Sequence, residues 1–174
     1  MKKIIFTAAA AFAFAFSNAQ DAGFKAGIHL GMPIGTAGDS YSFNGGVDAA
    51  YMWSVADKFQ AGLTTGYSYY AGKEVSTPSI TIGAITIPGT SVKVNGAFIP
   101  VAATGQYSFS DKIFGGLDLG YAIYAGDGSG DGGFYYQPKV GYQTEKYEIY
   151  ASYKGISVDG GSISSVGLGF NYKF

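Results

Sequence analysis

The sequence predicts an all-β chain, a transmembrane up-and-down antiparallel β-barrel of eight strands. Three observations predict it. Apolar residues recur with period two through nearly all of residues 24–174, the alternation of strands whose two faces meet different surroundings. The connections between the periodic segments are alternately short and long, as they are when each strand turns straight back along its predecessor. Aromatic residues make up 17% of the chain beside 13% charged residues and 28 glycines. That is too much ring surface for a disordered chain and too little charge for a water-facing one.

The elements follow in order. "MKKIIFTAAAAFAFAFSNAQ" opens with Lys2 and Lys3, runs apolar from Ile4 to Phe16, and reaches Ser17-Asn18-Ala19. A basic start, a short apolar run and a small-x-small site predict a signal peptide over 1–19, cleaved so that the mature chain begins near Gln20. The alternative, an N-terminal helical anchor, lacks the length to span a bilayer. Eight strands are predicted over 24–34, 43–55, 59–71, 92–107, 113–125, 134–144, 147–155 and 162–174. "ADK" (56–58), "SDK" (110–112) and "EK" (145–146) are the tight turns. Residues 35–42, 72–91, 126–133 and 156–162 are the roomier loops, and no helical period interrupts the series. Each segment reaches or approaches the roughly 9–11 residues that a tilted strand needs to cross a bilayer.

The two faces decide the surroundings. One carries Ala26, Ile28 and Leu30, Val47 and Ala49, Leu63, Val101, Leu117 and Leu119, Ile149 and Ala151, Val166 and Leu168. The other carries about one charge per strand among many glycines, too sparse for a solvated exterior but suited to a crowded interior. On the apolar face the rings sit at the strand ends. Phe24, Trp53, Phe59, Tyr107, Tyr142, Tyr147, Tyr172 and Phe174 lie near the short turns; Phe43, Tyr67, Tyr69, Tyr121, Phe134, Tyr136 and Tyr153 lie toward the long loops. Two aromatic girdles around an aliphatic band mark a lipid-facing surface. A secreted soluble barrel or sandwich is the alternative.

The terminal "SSVGLGFNYKF" alternates to its last residue. A barrel in lipid must pair its last strand with its first, because lipid cannot satisfy an open edge. With this ending, eight strands and short turns, residues 20–174 resemble the small OmpA/OmpX-like outer-membrane barrels. The resemblance implies an outer-membrane location, with long loops outside and short turns periplasmic. It also implies outer-membrane lipid as surroundings, and a last strand read by the barrel-assembly machinery through Phe170, Tyr172 and Phe174. Unlike OmpA, no peptidoglycan-binding domain is expected after the barrel.

Composition narrows the chemistry. There is no Arg among the 11 basic residues, and no Cys, so phosphate and nucleic-acid recognition, disulfides and thiol chemistry are not expected. If residues 1–19 are removed, nine lysines face twelve acidic residues, a net charge of about −3. The inward polar positions are Lys25, His29, Asp48, Asp118, Lys139, Glu148, Lys154 and Lys173. Eight strands enclose a space just wide enough for side chains to fill. These charges are therefore expected to form a cross-strand network, the alternative being that they line a narrow pore. Closing the first hairpin symmetrically over 35–42 sets His29, the single histidine, opposite Asp48. Such a pair invites an acid–base reading, but it lies far from either mouth with no serine evidently beside it. "DGSGDG" (127–132) opens like a calcium loop, yet Pro138 stands where the bidentate acid belongs, and a plain external loop is the expectation. No metal, cofactor or catalytic motif is expected.

Within the second long loop, "SITIGAITIP" (79–88) places Ile80, Ile82, Ile85 and Ile87 about Gly83-Ala84, the pattern of a two-residue hairpin. Its arms are too short to span lipid. It is expected to extend the wall beyond the bilayer and to offer strand edges to an external protein, or else to stiffen the loop. The functional expectation is a monomeric, non-enzymatic barrel acting in membrane integrity, adhesion or surface contact. A low-conductance pore for small solutes is the runner-up, and a lipid-modifying enzyme the third reading.

Overall fold

The computed structural model describes residues 22–76, 79–82, 85–127 and 130–174; the expected signal peptide, the Gly83-Ala84 turn and part of the 127–132 loop lie outside them. Eight strands form a closed barrel: β1 (Ala22–Ile34), β2 (Tyr41–Ala56), β3 (Phe59–Gly72), β8 (Gly96–Ser108), β9 (Ile113–Tyr124), β10 (Gly133–Gln143), β11 (Tyr147–Val158) and β12 (Gly161–Lys173). Each pairs antiparallel with its sequence neighbour in the barrel, and β12 closes the circle on β1. The last backbone N–H, from Phe174, donates to the Phe24 carbonyl at 3.0 Å, and the two rings stand 5.5 Å apart. No strand edge of the barrel is left for lipid to satisfy.

The alternation divides the barrel as its residue types require. Ile28, Leu30, Val47, Val101, Leu117, Ile149, Val166 and Leu168 are all exposed on the outside. Lys25, His29, Asp118, Glu148 and Lys154 are buried inside. Trp53 departs from its girdle partners in being covered to 8% exposure, with Tyr51 edge-on at 5.1 Å. Glycines on the inner face make room for the charged side chains. A methyl at Gly46 would lie 1.8 Å from the Tyr67 carbonyl oxygen and 2.8 Å from the His29 ring. Pro100 and Pro138 sit in strands at positions where the ladder to one neighbour is interrupted, as a residue without an N–H demands.

Four features differ from the sequence expectation. The roomier loop expected over 156–162 is a tight turn, because β11 and β12 stay paired as far as Val158 and Gly161 and leave only Asp159 and Gly160, the glycine at φ 84°, between them. The first long loop contains a five-residue helix, α1 (Thr36–Ser40), too short to leave a periodic signature. The first hairpin closes with Gly27 opposite Asp48 and His29 opposite Gly46, two residues out of the symmetric register. A slip of two keeps every side chain on its face, whereas a slip of one would have reversed them all. The fourth barrel strand starts at Gly96, because Ser91–Lys93 forms a separate strand, β7, paired with β4 (Glu74–Ser76). Beyond them β5 (Ile80–Ile82) pairs with β6 (Ile85–Ile87) in the same register. Residues 74–93 thus carry a two-stranded ribbon continuing the β3–β8 hairpin, with Ile paired to Ile and Thr to Thr across β5 and β6.

Candidate functional site

The lumen is filled in three tiers. At the short-turn end, the closing seam sets Lys25 directly opposite Lys173, a like-charge pairing that would by itself be unfavourable. Glu148, from β11, resolves it. Its Oε1 accepts from Lys25 Nζ at 2.6 Å, from Lys173 Nζ at 3.2 Å and from Gln106 Nε2 at 3.1 Å, and its Oε2 accepts from Asn171 at 3.3 Å. Gln106 also accepts from Lys25 and donates to Gln143, which passes the chain on to Ser108. Below this tier the barrel opens into a polar cup of about 430 Å³ lined by Asp57, Lys58, Asp111, Glu145 and Lys173 among others.

The middle tier holds an ion pair and a histidine–carboxylate contact. Lys139 Nζ donates to both oxygens of Asp118 at 2.9 and 3.0 Å and stands 5.7 Å from the Tyr150 ring centre. His29 Nδ1 lies 2.7 Å from Asp48 Oδ2, a diagonal contact across the shifted register. Its Nε2 lies 2.9 Å from Lys154 Nζ and 3.1 Å from Ser68 Oγ, and Lys154 donates to Ser68 Oγ at 2.7 Å. A cavity of about 20 Å³ between the pairs is bounded by Asp48, Asp118, Lys139 and Tyr150, room for about one water.

The serine that the sequence reading did not place beside His29 is therefore Ser68. Ser68, His29 and Asp48 stand in the order of an acyl-transfer triad, but two features set them apart. Ser68 is 1% exposed, enclosed by the packed lumen. The Lys154 ammonium, which has donors only, is aimed at the same Nε2 lone pair that would have to take the serine proton. The arrangement holds four side chains against one another.

At the long-loop end the lumen turns apolar. Tyr70, Phe98, Ala102, Ala122, Tyr135 and Ile156 form one buried cluster, flanked by Tyr41, Tyr124, Val158 and Ile163. Phe98 lies edge-on between Tyr70 and Tyr124 at 5.9 and 5.4 Å.

All eight of the inward charged positions thus lie in the lumen and enter hydrogen bonds or ion pairs there. Ser68, Gln106, Gln143, Asn171 and the interior rings of Tyr70, Phe98, Tyr135 and Tyr150 complete the packing. Their phase with Lys25 and Asp118 was the signal that could have found them, but uncharged residues carry no mark of a network. Phe170, Tyr172 and Phe174 are exposed on the outside, with Tyr172 and Phe174 edge-on at 5.0 Å. Among the described residues no three His, Cys, Asp or Glu side chains cluster to hold a metal. Asp127, in the calcium-like loop, lies 3.4 Å from the Asn95 amide.

A closed eight-stranded barrel with an aliphatic, ring-bounded exterior and a packed polar interior is a small transmembrane β-barrel. It has the fold of the OmpA/OmpX-like outer-membrane proteins. No protein-family model matches the chain, and no curated protein matches it. Solved structures do. The crystal structure of Ail, the attachment invasion locus protein of Yersinia pestis, superposes with a TM-score of 0.51 at 14% identity over 88% of this chain and 97% of that one. Ail in a phospholipid bilayer nanodisc gives 0.50 at 12% identity, over 86% of this chain and 99% of the other. A de novo designed transmembrane β-barrel gives 0.50 at 14%, over 87% and 95%. A designed sequence reaching the same score as a natural one underlines that the likeness is one of fold.

Proposed function

We propose that this protein is a monomeric outer-membrane barrel, exported with the help of a cleaved signal peptide over residues 1–19, that works at the cell surface through its long-loop end. The observation that carries the reading is the filled lumen. Its charges are bonded to one another and its upper half is packed with rings, which supports a structural wall over an open pore or a catalytic site. What distinguishes the chain lies outside the barrel: the ribbon at 74–93 presents strand edges that pair only with each other among the described residues. Unpaired strand edges are templates for an added strand from another protein. In this reading the long loops face outward, the short turns face the periplasm, and Phe170, Tyr172 and Phe174 form the mark by which the assembly machinery recognises the last strand. The name of Ail speaks of attachment and invasion for that protein, and a surface role is the counterpart proposed here.

The test is excision of residues 79–88. Loop tips tolerate deletion, so the shortened protein should migrate as a folded, heat-modifiable barrel. Cells carrying it should lose the attachment to surfaces or to other cells that the wild type confers. Planar-bilayer recordings of the wild type should show no stepwise conductance. Full attachment by the excised protein would remove the ribbon from the reading; regular conductance steps would replace it with the pore.

A further inference from the structure

Between Glu74 and Lys93 the chain carries no charged residue. Natural sheet edges are commonly guarded by charge, proline or a bulge. Within this stretch β5 and β6 form a sheet of two strands only, and a lone two-stranded ribbon is marginal in water. Further strands would stabilise it.

The two edges of that small sheet are not equivalent. Ile82 pairs with Ile85 across two intervening residues, the separation at which a turn's first carbonyl and last amide bond each other. Facing pairs alternate between bonded and unbonded along an antiparallel ladder. The bonded pairs are then Ile82 with Ile85 and Ile80 with Ile87, so the backbone N–H and C=O of Thr81 and of Thr86 point to the free edges. Two residues further along in the same phase stand Ser79 on the β5 side and Pro88 on the β6 side. Proline has no N–H to donate. The β6 edge is blunted and the β5 edge is open.

Along β5 the sequence Ile-Thr-Ile reads the same in both directions. Antiparallel pairing with an identical strand, centred on Thr81, sets Thr81 against Thr81 and Ile80 against Ile82. Those are the Thr–Thr and Ile–Ile matches that β5 already makes with β6.

Building on the surface role proposed above, we infer that the β5 edge recognises β5 of a second copy of this chain, joined about a two-fold axis at Thr81. Such a contact uses the same edge of both copies and closes as β6-β5-β5-β6. Stacking β5 on the second copy's β6 would leave edges open at both ends, and Pro88 removes a bond from that arrangement. Each β5 leads away from its own barrel, from β4 toward the tip of the ribbon. Antiparallel pairing therefore sends the two barrels in opposite directions. The copies belong to facing membranes, and each barrel stays single in its own. Few backbone bonds join one pair, and many pairs acting together supply the hold.

The experiment mixes two sets of phosphatidylcholine vesicles that carry the refolded protein, long loops outward by protease accessibility, and lipid dyes of different colour. Wild type on both sets should give at least about tenfold more two-colour clusters than wild type mixed with empty vesicles; equal counts would overturn the inference. Thr81→Pro removes the outward N–H of β5 and should bring the count down to that of the empty control, whereas Thr86→Pro should keep most of it. Loss in both variants, or in neither, would overturn the edge assignment. Cysteine offers a milder probe, because the chain has none of its own. Under a mild oxidant, Thr81→Cys chains tagged differently in the two sets should form a disulfide-linked dimer and Thr86→Cys chains should not; any other pattern would overturn the two-fold at Thr81. If wild-type vesicles ignore one another while excision of 79–88 still abolishes cell attachment, the second copy is overturned as partner and the surface role stands. Attachment that survives the excision defeats the surface role itself.

Discussion

The two halves of the lumen solve the same packing problem with opposite chemistry. The short-turn half is held by charge: Glu148 alone ties its own strand to three others by binding Lys25, Lys173, Gln106 and Asn171. The long-loop half is held by shape, with Tyr70, Phe98, Tyr135 and Ile156 buried to 2% exposure or less. A buried charge is costly when its partner is lost, whereas an apolar contact degrades in proportion to the volume removed. The charged half should therefore be brittle and specific, and the aromatic half tolerant and sealing.

The largest effect is expected at Glu148→Gln. It leaves Lys25 and Lys173 facing each other across the closing seam, and the loss should approach the upper end of the 3–5 kcal/mol typical of a broken buried pair, about 5 kcal/mol. Urea unfolding in lipid vesicles measures it, and a midpoint close to that of the wild type would show that the seam does not depend on this carboxylate. Phe98→Ala should cost about 3–4 kcal/mol through the cavity it leaves among Tyr70 and Tyr124. Because it thins the seal, conductance events absent from the wild type should accompany it; a stable, silent variant would mean that the rings are not the barrier. Lys139→Met should cost about 3 kcal/mol by stranding Asp118. Pairing it with Asp118→Asn should recover much of that loss, and failure to recover would place the defect in packing against Tyr150 instead.

Smaller changes sharpen the boundary between the halves, where Tyr150 crosses from one to the other. A methyl at Gly169 would lie 2.2 Å from the Tyr150 ring, so Gly169→Ala should cost about 1–3 kcal/mol by overpacking. Tyr150→Phe removes only a 3.5 Å contact to Asp48 and should cost about 0.5–1 kcal/mol. If the hydroxyl proves the more important, the boundary is electrostatic; if the glycine does, it is steric.

Much of this was legible in the chain, and particular residues show why. Ile28 and Leu30 were assigned outward and Lys25 and His29 inward from alternation alone, and they lie so. The paired arms of the 79–88 hairpin were read from Ile and Thr spaced about a Gly, and Ile80 pairs with Ile87 as that pattern requires. The helix at Thr36–Ser40 was invisible, because one turn has no period. Ser68 was not connected with His29, and the rings of Tyr70, Phe98, Tyr135 and Tyr150 were not recognised as interior, because girdle-forming and lumen-filling aromatics are the same residue types.

The sequence by itself determined the number of barrel strands, their succession and the face each side chain takes. Strand geometry has a period of two, and a register error of two, such as that of the first hairpin, leaves every face unchanged. Which inward residues touch was decided only by the tertiary structure. Lys25 meets Glu148 across 123 positions of chain, and Lys154 meets Ser68 across 86. Those contacts join strands that are not neighbours in the sheet. They depend on the height at which each residue enters the lumen and on the curvature by which the barrel closes, and alternation along a single strand carries neither.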